Sequence, residues 1–199
     1  LIQKHKLPAL REALLKIHYP LSLAEANSAK ERLAFDDLLL FQLKALLERR
    51  KVNQLKSVSI KFNQELIQEF ISKLPFELTR DQKVAAWEIL KDLQKTYPMN
   101  RLMEGDVGSG KTVVALMGAV QVAKAGYQSV FMAPTEVLAQ QHFDTMSSLA
   151  GKSSRVALLT ASDGKLSEDV IGKAELKKKI AGGEADIIIG THAVIQKDV

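Results

Sequence analysis

The stretch GDVGSGKT, residues 105 to 112, fits G-x-x-x-x-G-K-[ST], and no other feature constrains the fold of this chain as tightly. A loop of this kind works only between a strand and a helix. The strand delivers it to a sheet edge, and the helix start aims backbone N–H groups and a positive dipole end at an anion. Both neighbours are present: RLMEG is a short apolar run before the loop, and KTVVALMGAVQVAKAG reads as a helix closed by Gly126. Gly105, Gly108 and Gly110 allow the backbone to curl, so that the N–H groups from Asp106, Val107 and Ser109 onward can face phosphate oxygens. Lys111 is placed to reach β- and γ-phosphates, and Thr112 to put its hydroxyl on Mg²⁺. These two are the candidate catalytic residues, with Thr112 the candidate metal ligand. The bland alternative is a glycine-rich turn with no ligand.

The rest of the second half alternates. SVFMAP is a strand ended by proline, TEVLAQQHFDTMSSLAG a helix, RVALLTA a strand, EDVIGKAELKKKIAGG a helix, and ADIIIGT a strand. Strands and helices joined by short connections predict a parallel sheet with crossover helices. Nearly all-apolar strands predict that helices cover both faces. The fold class expected is α/β, a parallel sheet with flanking helices behind an all-helical segment. That earlier segment contains LPALREALLKIHYP, then SLAE with Ser22 and Glu25 spaced as a capping box, then the long ERLAFDDLLLFQLKALLERRKV, then QELIQEFISKL. The boundary is expected between residues 74 and 75.

Charge follows the same division. Residues 1 to 75 carry 13 Lys and Arg against 8 Asp and Glu, whereas the remainder is balanced at 15 against 15, so the whole excess lies outside the loop-bearing half. A basic accessory region could attract phosphates, and solvated helix faces are the plainer explanation. The ERRK ending of the long helix suits the negative end of its dipole, and Lys177, Lys178 and Lys179 read as solvated charge. No apolar run approaches the roughly 20 residues a membrane span needs, so no membrane partner is expected. With no cysteine, disulfides and thiolate metal sites are excluded, which fits a cytoplasmic location.

A phosphate loop alone does not hydrolyse; it needs a carboxylate at the end of a later apolar strand to hold Mg²⁺. Asp186 precedes IIIG and so sits at the wrong end of its strand. The chain also opens on Leu1 rather than methionine. The expectation is a piece of a longer protein, with the acidic motif beyond Val199, and an isolated fragment that binds ATP weakly and hydrolyses essentially none.

FELTRDQ, GDVGSGKT, APTEVLAQQH and GTHAVIQ, in this order, resemble the first motor lobe of superfamily 2 helicases, a RecA-like fold. The wording around them is similar to bacterial helicases of that superfamily that remodel branched DNA, and RLAFDDLLLFQL is similar to the helical connector those carry between a DNA-binding wedge and the motor. The resemblance spans essentially the whole chain. It implies ATP and Mg²⁺ as cofactors and an ATP hydrolase driving fork reversal and branch migration in recombination and repair. It also implies branched or forked DNA as partner, single-strand-binding protein and other fork proteins beside it, and a monomer. Gln82 matches the glutamine that reads adenine, although Thr79 and Gln82 also form a capping box; Phe76 would stack near the base. Pro134 and Thr135, and Gly190, Thr191 and His192, match segments that contact the DNA backbone. Thr135 is equally a good helix cap, His192 has a plain structural reading beside the functional one, and Gln140 and Gln141 read as solvent-facing helix residues. The alternatives are a transcription-repair coupling translocase, whose motor lobe is closely similar, a phosphotransferase built on an unrelated phosphate loop, and a non-enzymatic nucleotide-binding module.

Overall fold

The computed structural model describes residues 1–162, 164–167 and 169–195. The chain divides into two compact units, Leu1–Lys56 and Ser57–Val199. In the first, α1 (Leu10–His18) packs on α2 (Leu23–Gln54), a single helix of 32 residues. Contact is close because alanines face each other: Ala13 and Ala29 are both fully buried. Ser22 caps α2, its Oγ accepting from the Glu25 N–H at 3.3 Å. The reciprocal bond differs from the expected capping box. Glu25 accepts instead from the Leu21 N–H at 3.0 Å, and it also pairs with Lys16 at 3.1 Å, which draws its carboxylate toward α1. Arg32 is buried, donating to the Pro8 carbonyl at 3.0 Å and pairing with Asp36.

The second unit begins at Ser57, well before the expected boundary at residue 75. The reason is core formation. Ile67 and Phe70 from α3 (Gln64–Ser72) are buried in the same cluster as the helix after the phosphate loop. Buried Gln121 clamps the entry to α3, its amide accepting from the Asn63 N–H at 3.1 Å and donating to the Lys61 carbonyl at 2.7 Å. Then follow α4 (Arg80–Leu93) and α5 (Lys111–Lys124). Gly118 lets these two cross closely, since a Cβ there would lie 3.2 Å from Ile89 Cγ2.

The sheet is built from β1 (Ser129–Met132), α6 (Glu136–Ala150), β2 (Val156–Leu159), β3 (Gly164–Leu166), β4 (Asp169–Val170), α7 (Lys173–Ala181) and β5 (Ile187–Gly190). Its order is β1-β5-β2-β3-β4, with β1, β5 and β2 parallel. The isoleucines of β5 are buried on both faces and alternate sides. Ile187 and Ile189 join a cluster with α3, α4, α5 and α6, and Ile188 joins Leu176 and Ile180 of α7. Helical layers on both faces of the three parallel strands give the α/β architecture expected, and the strands at residues 129, 156 and 187 lie where the apolar runs put them.

Two expectations fail. RLMEG forms no strand: residues 101–106 pair with no described strand, and ladder bonds to a neighbour are what make an extended segment a strand. The second concerns the helix expected from residue 168. It begins at Lys173, and antiparallel β3 and β4 occupy part of the interval before it. Only three and two residues long, these strands are too short for a period-two pattern to announce them. Glu168 and residues 196–199, the tail of the last expected motif included, lie outside the described residues.

Asp186, at the start of β5, accepts from the Arg155 backbone N–H at 2.7 Å and from its guanidinium at 2.8 Å. Burial pushes its carboxyl up, but the hydrogen bonds and charge of Arg155 together outweigh burial and hold it below the ordinary range. Asp92 is held low in the same way, burial being overcome by Lys95 and Arg101. A carboxylate with a depressed folded pKa gives stability that is present above its unfolded value, about 3.9, and lost as pH falls through the folded one. Thermal unfolding followed by circular dichroism should therefore show a midpoint steady from pH 7 down to about pH 5 and falling below it. Asp186→Asn should unfold earlier at pH 7 and show a shallower acid limb; an unaltered limb would count against this account.

Candidate nucleotide and nucleic-acid site

The phosphate loop hangs between two anchors on α4. Before it, Arg101 donates to Asp92 at 2.6 and 2.9 Å and pairs with Glu88. At its far end, Gln82 Nε2 donates to the Ser109 carbonyl at 2.9 Å. Within the loop the Ser109 N–H donates to the Asp106 carbonyl at 3.1 Å, and Gly108 and Gly110 take φ of 82° and 79°. Those left-handed values are why glycine stands at both positions. At Gly110 there is also no room: a Cβ would strike the Gln82 amide. Gly110 is the N-cap of α5 with no side chain to cap it, which leaves the first N–H groups of that helix for another acceptor. Lys111 Nζ donates to the carbonyls of Gly105 and Asp106 at 2.7 and 2.8 Å. Thr112 sits in the first turn of α5, half-buried.

Gln82 forms the capping box that its spacing allowed, and its amide does more. Its backbone N–H donates to Thr79 Oγ1 at 3.2 Å and its Oε1 accepts from the Thr79 N–H at 2.9 Å, a complete capping box. Its amide nitrogen meanwhile reaches the loop. Thr79, Gln82, Met103, Gly105, Asp106 and Lys111 share one cleft of about 390 Å³, in the size range of small-molecule pockets. Phe76 is not in it; half-exposed, it lines a separate depression with Leu74 and Lys83. Val107 projects wholly into solvent and so offers its backbone alone.

The second group of candidates follows the carboxyl ends of the parallel strands. Met132, Gly190 and Leu159 stand in one row across β1, β5 and β2. The chain beyond each leads to Pro134–Thr135, Thr191–His192 and Thr160–Ser162 respectively. Thr135 caps α6, accepting from the Leu138 N–H at 3.3 Å, and it remains exposed together with Pro134 and His192. Gly190 is buried; a Cβ there would collide with the Leu159 carbonyl and Val194, which fixes the glycine by packing. Gln140 is tied up within the protein, donating to Asp144 at 2.7 Å and accepting from Lys165 at 2.9 Å. Asp186 stands at the opposite end of the sheet, as its sequence position requires. Among the described residues no group of three or more His, Cys, Asp or Glu could hold a metal ion. Among them, too, no helix is long and apolar enough to cross a membrane.

The family model for DEAD/DEAH box helicases matches residues 79–199, from the Thr79 cap to the end of the chain. The chain belongs to the DEAD/DEAH box helicase family. Over 99% of its length it is 42% identical to the ATP-dependent DNA helicase RecG of Staphylococcus aureus, and over its whole length 39% identical to that of Aquifex aeolicus. It spans 28% and 25% of those two proteins. A solved structure of RecG bound to a three-way DNA junction superposes over the entire chain with a TM-score of 0.86 at 38% identity, covering 27% of that protein. The loop, the Thr79 cap and the strand-end segments all lie within the stretch that the family model matches, in one compact unit. Sequence reasoning missed one group at its rim, Glu136 with the Thr160–Ser162 turn. The signal was available: LLTAS puts a threonine and a serine directly after an apolar strand, as APT and IGT do.

Proposed function

We propose that this chain is a helical connector followed by most of the first RecA-like lobe of an ATP-dependent DNA helicase, with α3 belonging to the core of the lobe. Its substrate is branched or forked DNA, which it remodels by fork reversal and branch migration in recombination and repair, in the cytoplasm. The observation that carries the reading is the Gln82 bridge. One side chain closes the α4 cap and holds the phosphate loop, inside a cleft that also contains Lys111. An amide at that place suits the edge of adenine, and the glycine-lined loop with the uncapped start of α5 suits a triphosphate. The residues present fit ATP and Mg²⁺: Lys111 would hold β- and γ-phosphate oxygens, and the Thr112 hydroxyl would be one metal ligand. The nucleotide supplies the free energy of phosphate-bond hydrolysis. Exposed Thr135 and His192, with Thr191, offer hydroxyl, ring and backbone donors to DNA phosphates, contacts that carry no base information. Single-strand-binding protein and other fork proteins are the partners this role entails.

The test is ATP hydrolysis by the full-length protein that contains this chain, with and without forked DNA. Strong stimulation by forked over linear duplex DNA is expected, and residues 1–199 alone should hydrolyse essentially none. A rate indifferent to DNA, or phosphate transfer to a small molecule, would refute the reading.

A further inference from the structure

We propose that Glu136 is a positioning residue that locks the Thr160–Ser162 turn to the start of α6, so that adjacent strand ends meet the DNA backbone as one rigid rim. The inference rests on the DNA-motor reading above and goes beyond it, because neither Glu136 nor the turn was among the candidate contacts.

Glu136 is the first residue of α6, directly after Thr135. An acidic residue there helps any helix through its dipole, and that alone would leave the carboxylate in water. Instead both oxygens reach across to the chain beyond β2. Oε1 accepts from the Ala161 N–H at 2.9 Å and Oε2 accepts from the Ser162 hydroxyl at 2.6 Å. The carbonyl of Ala161 accepts from the ammonium of Lys173, the first residue of α7. The turn is therefore held by an acceptor from one helix and a donor from another, one on each side of the sheet. Beneath it Thr160 is buried, with Oγ1 3.3 Å from the Ser162 hydroxyl, while Ala161 and Ser162 face outward.

Position gives the latch its meaning. The turn follows Leu159, which stands in register with Gly190 and, through it, with Met132. The Ala133 N–H donates to the Gly190 carbonyl at 2.8 Å, extending the ladder one residue toward Pro134 and Thr135. Beyond β5 and β2 the rim carries Thr191 and the turn. A bare carboxylate on a surface that meets phosphates would repel them. Spending both oxygens on the turn turns that liability into a brace and sets the distance between Thr135 and Ser162.

Two measurements on the full-length protein test this: anisotropy of labelled forked DNA without nucleotide, and ATP hydrolysis titrated with DNA. Glu136→Ala should weaken DNA binding and raise the half-saturating DNA concentration by about tenfold, the size of a coupling between touching residues. The KM for ATP at saturating DNA should stay at the wild-type value, and the unfolding midpoint should fall only by the small amount that loss of a helix-start charge brings. Glu136→Gln should recover most of the loss, since its amide keeps an acceptor for the Ala161 N–H and a hydrogen-bonding group for Ser162. Ser162→Ala added to Glu136→Ala should weaken binding no further. Wild-type DNA affinity in Glu136→Ala overturns the inference, as does a loss matched by equal changes in the KM for ATP and the midpoint. A wild-type protein that neither binds forked DNA nor is stimulated by it overturns the motor reading, and this inference with it.

Discussion

Replacing Lys111 with alanine is expected to lower DNA-stimulated ATP hydrolysis by the full-length protein about 10²- to 10³-fold, the usual cost of removing one charge-stabilising donor from a reaction centre. Forked-DNA binding without nucleotide should be unchanged, because Lys111 belongs to the cleft by α4 and not to the strand-end rim. The expected effect follows from the place of this lysine in the loop. Lys111 Nζ is held by two backbone carbonyls of its own loop, Gly105 and Asp106. Neutral carbonyls are weaker acceptors than ionised phosphate oxygens, so Lys111 would exchange these ties for phosphate oxygens when a triphosphate binds. Alanine removes both the internal tie and the phosphate contact. Lys111→Arg should be nearly as damaging: a planar fork cannot repeat a point charge reaching between two curled carbonyls. Steady-state hydrolysis at saturating DNA, with binding of a fluorescent ATP analogue as control, decides the matter. More than a tenth of wild-type turnover in Lys111→Ala would contradict the role assigned to this lysine.

What the sequence made legible follows from how local each determinant is. The phosphate loop, the Thr79 cap and the three parallel strands are written within a few residues of where they act, as spacing and apolar runs. The adenine and DNA assignments rest on the resemblance. Unreadable features depend on neighbours distant in the chain. Nothing in LIQEF says that Phe70 would be buried beside α5 rather than belong to the preceding helices. Packing against α5 decides that, with Gln121 holding the start of α3 at Asn63 from 58 residues away. RLMEG has the composition of a strand, but only an adjacent strand could make it one. The β3–β4 pair is too short to carry a period, and the reach of Glu136 across 26 residues to Ser162 is a property of the folded rim alone.

Gln82→Glu separates the two functions of that side chain and is expected to lower ATP affinity by at least about tenfold, or 1.4 kcal/mol, while leaving stability near wild type. Glutamate serves a capping box as well as glutamine does, so the bond from the Thr79 N–H survives and α4 keeps its start. The donor to the Ser109 carbonyl does not survive. In its place a carboxylate oxygen faces a carbonyl oxygen, and the far anchor of the phosphate loop is turned from attraction to repulsion. The substitution also removes the donor that an amide can offer to a base edge, so the preference for ATP over GTP should shrink along with affinity. Gln82→Ala gives the contrast: it loses the cap bond as well, and it should lower the unfolding midpoint by an amount corresponding to about 1 kcal/mol on top of the nucleotide defect. If the capping box were the whole function of Gln82, glutamate would be silent and alanine would act through stability alone. Nucleotide titrations on both variants, with thermal unfolding of each, distinguish the cases. Wild-type ATP affinity in Gln82→Glu would reduce this residue to a helix cap. A selective loss would make it the link through which α4 senses the nucleotide and holds the loop.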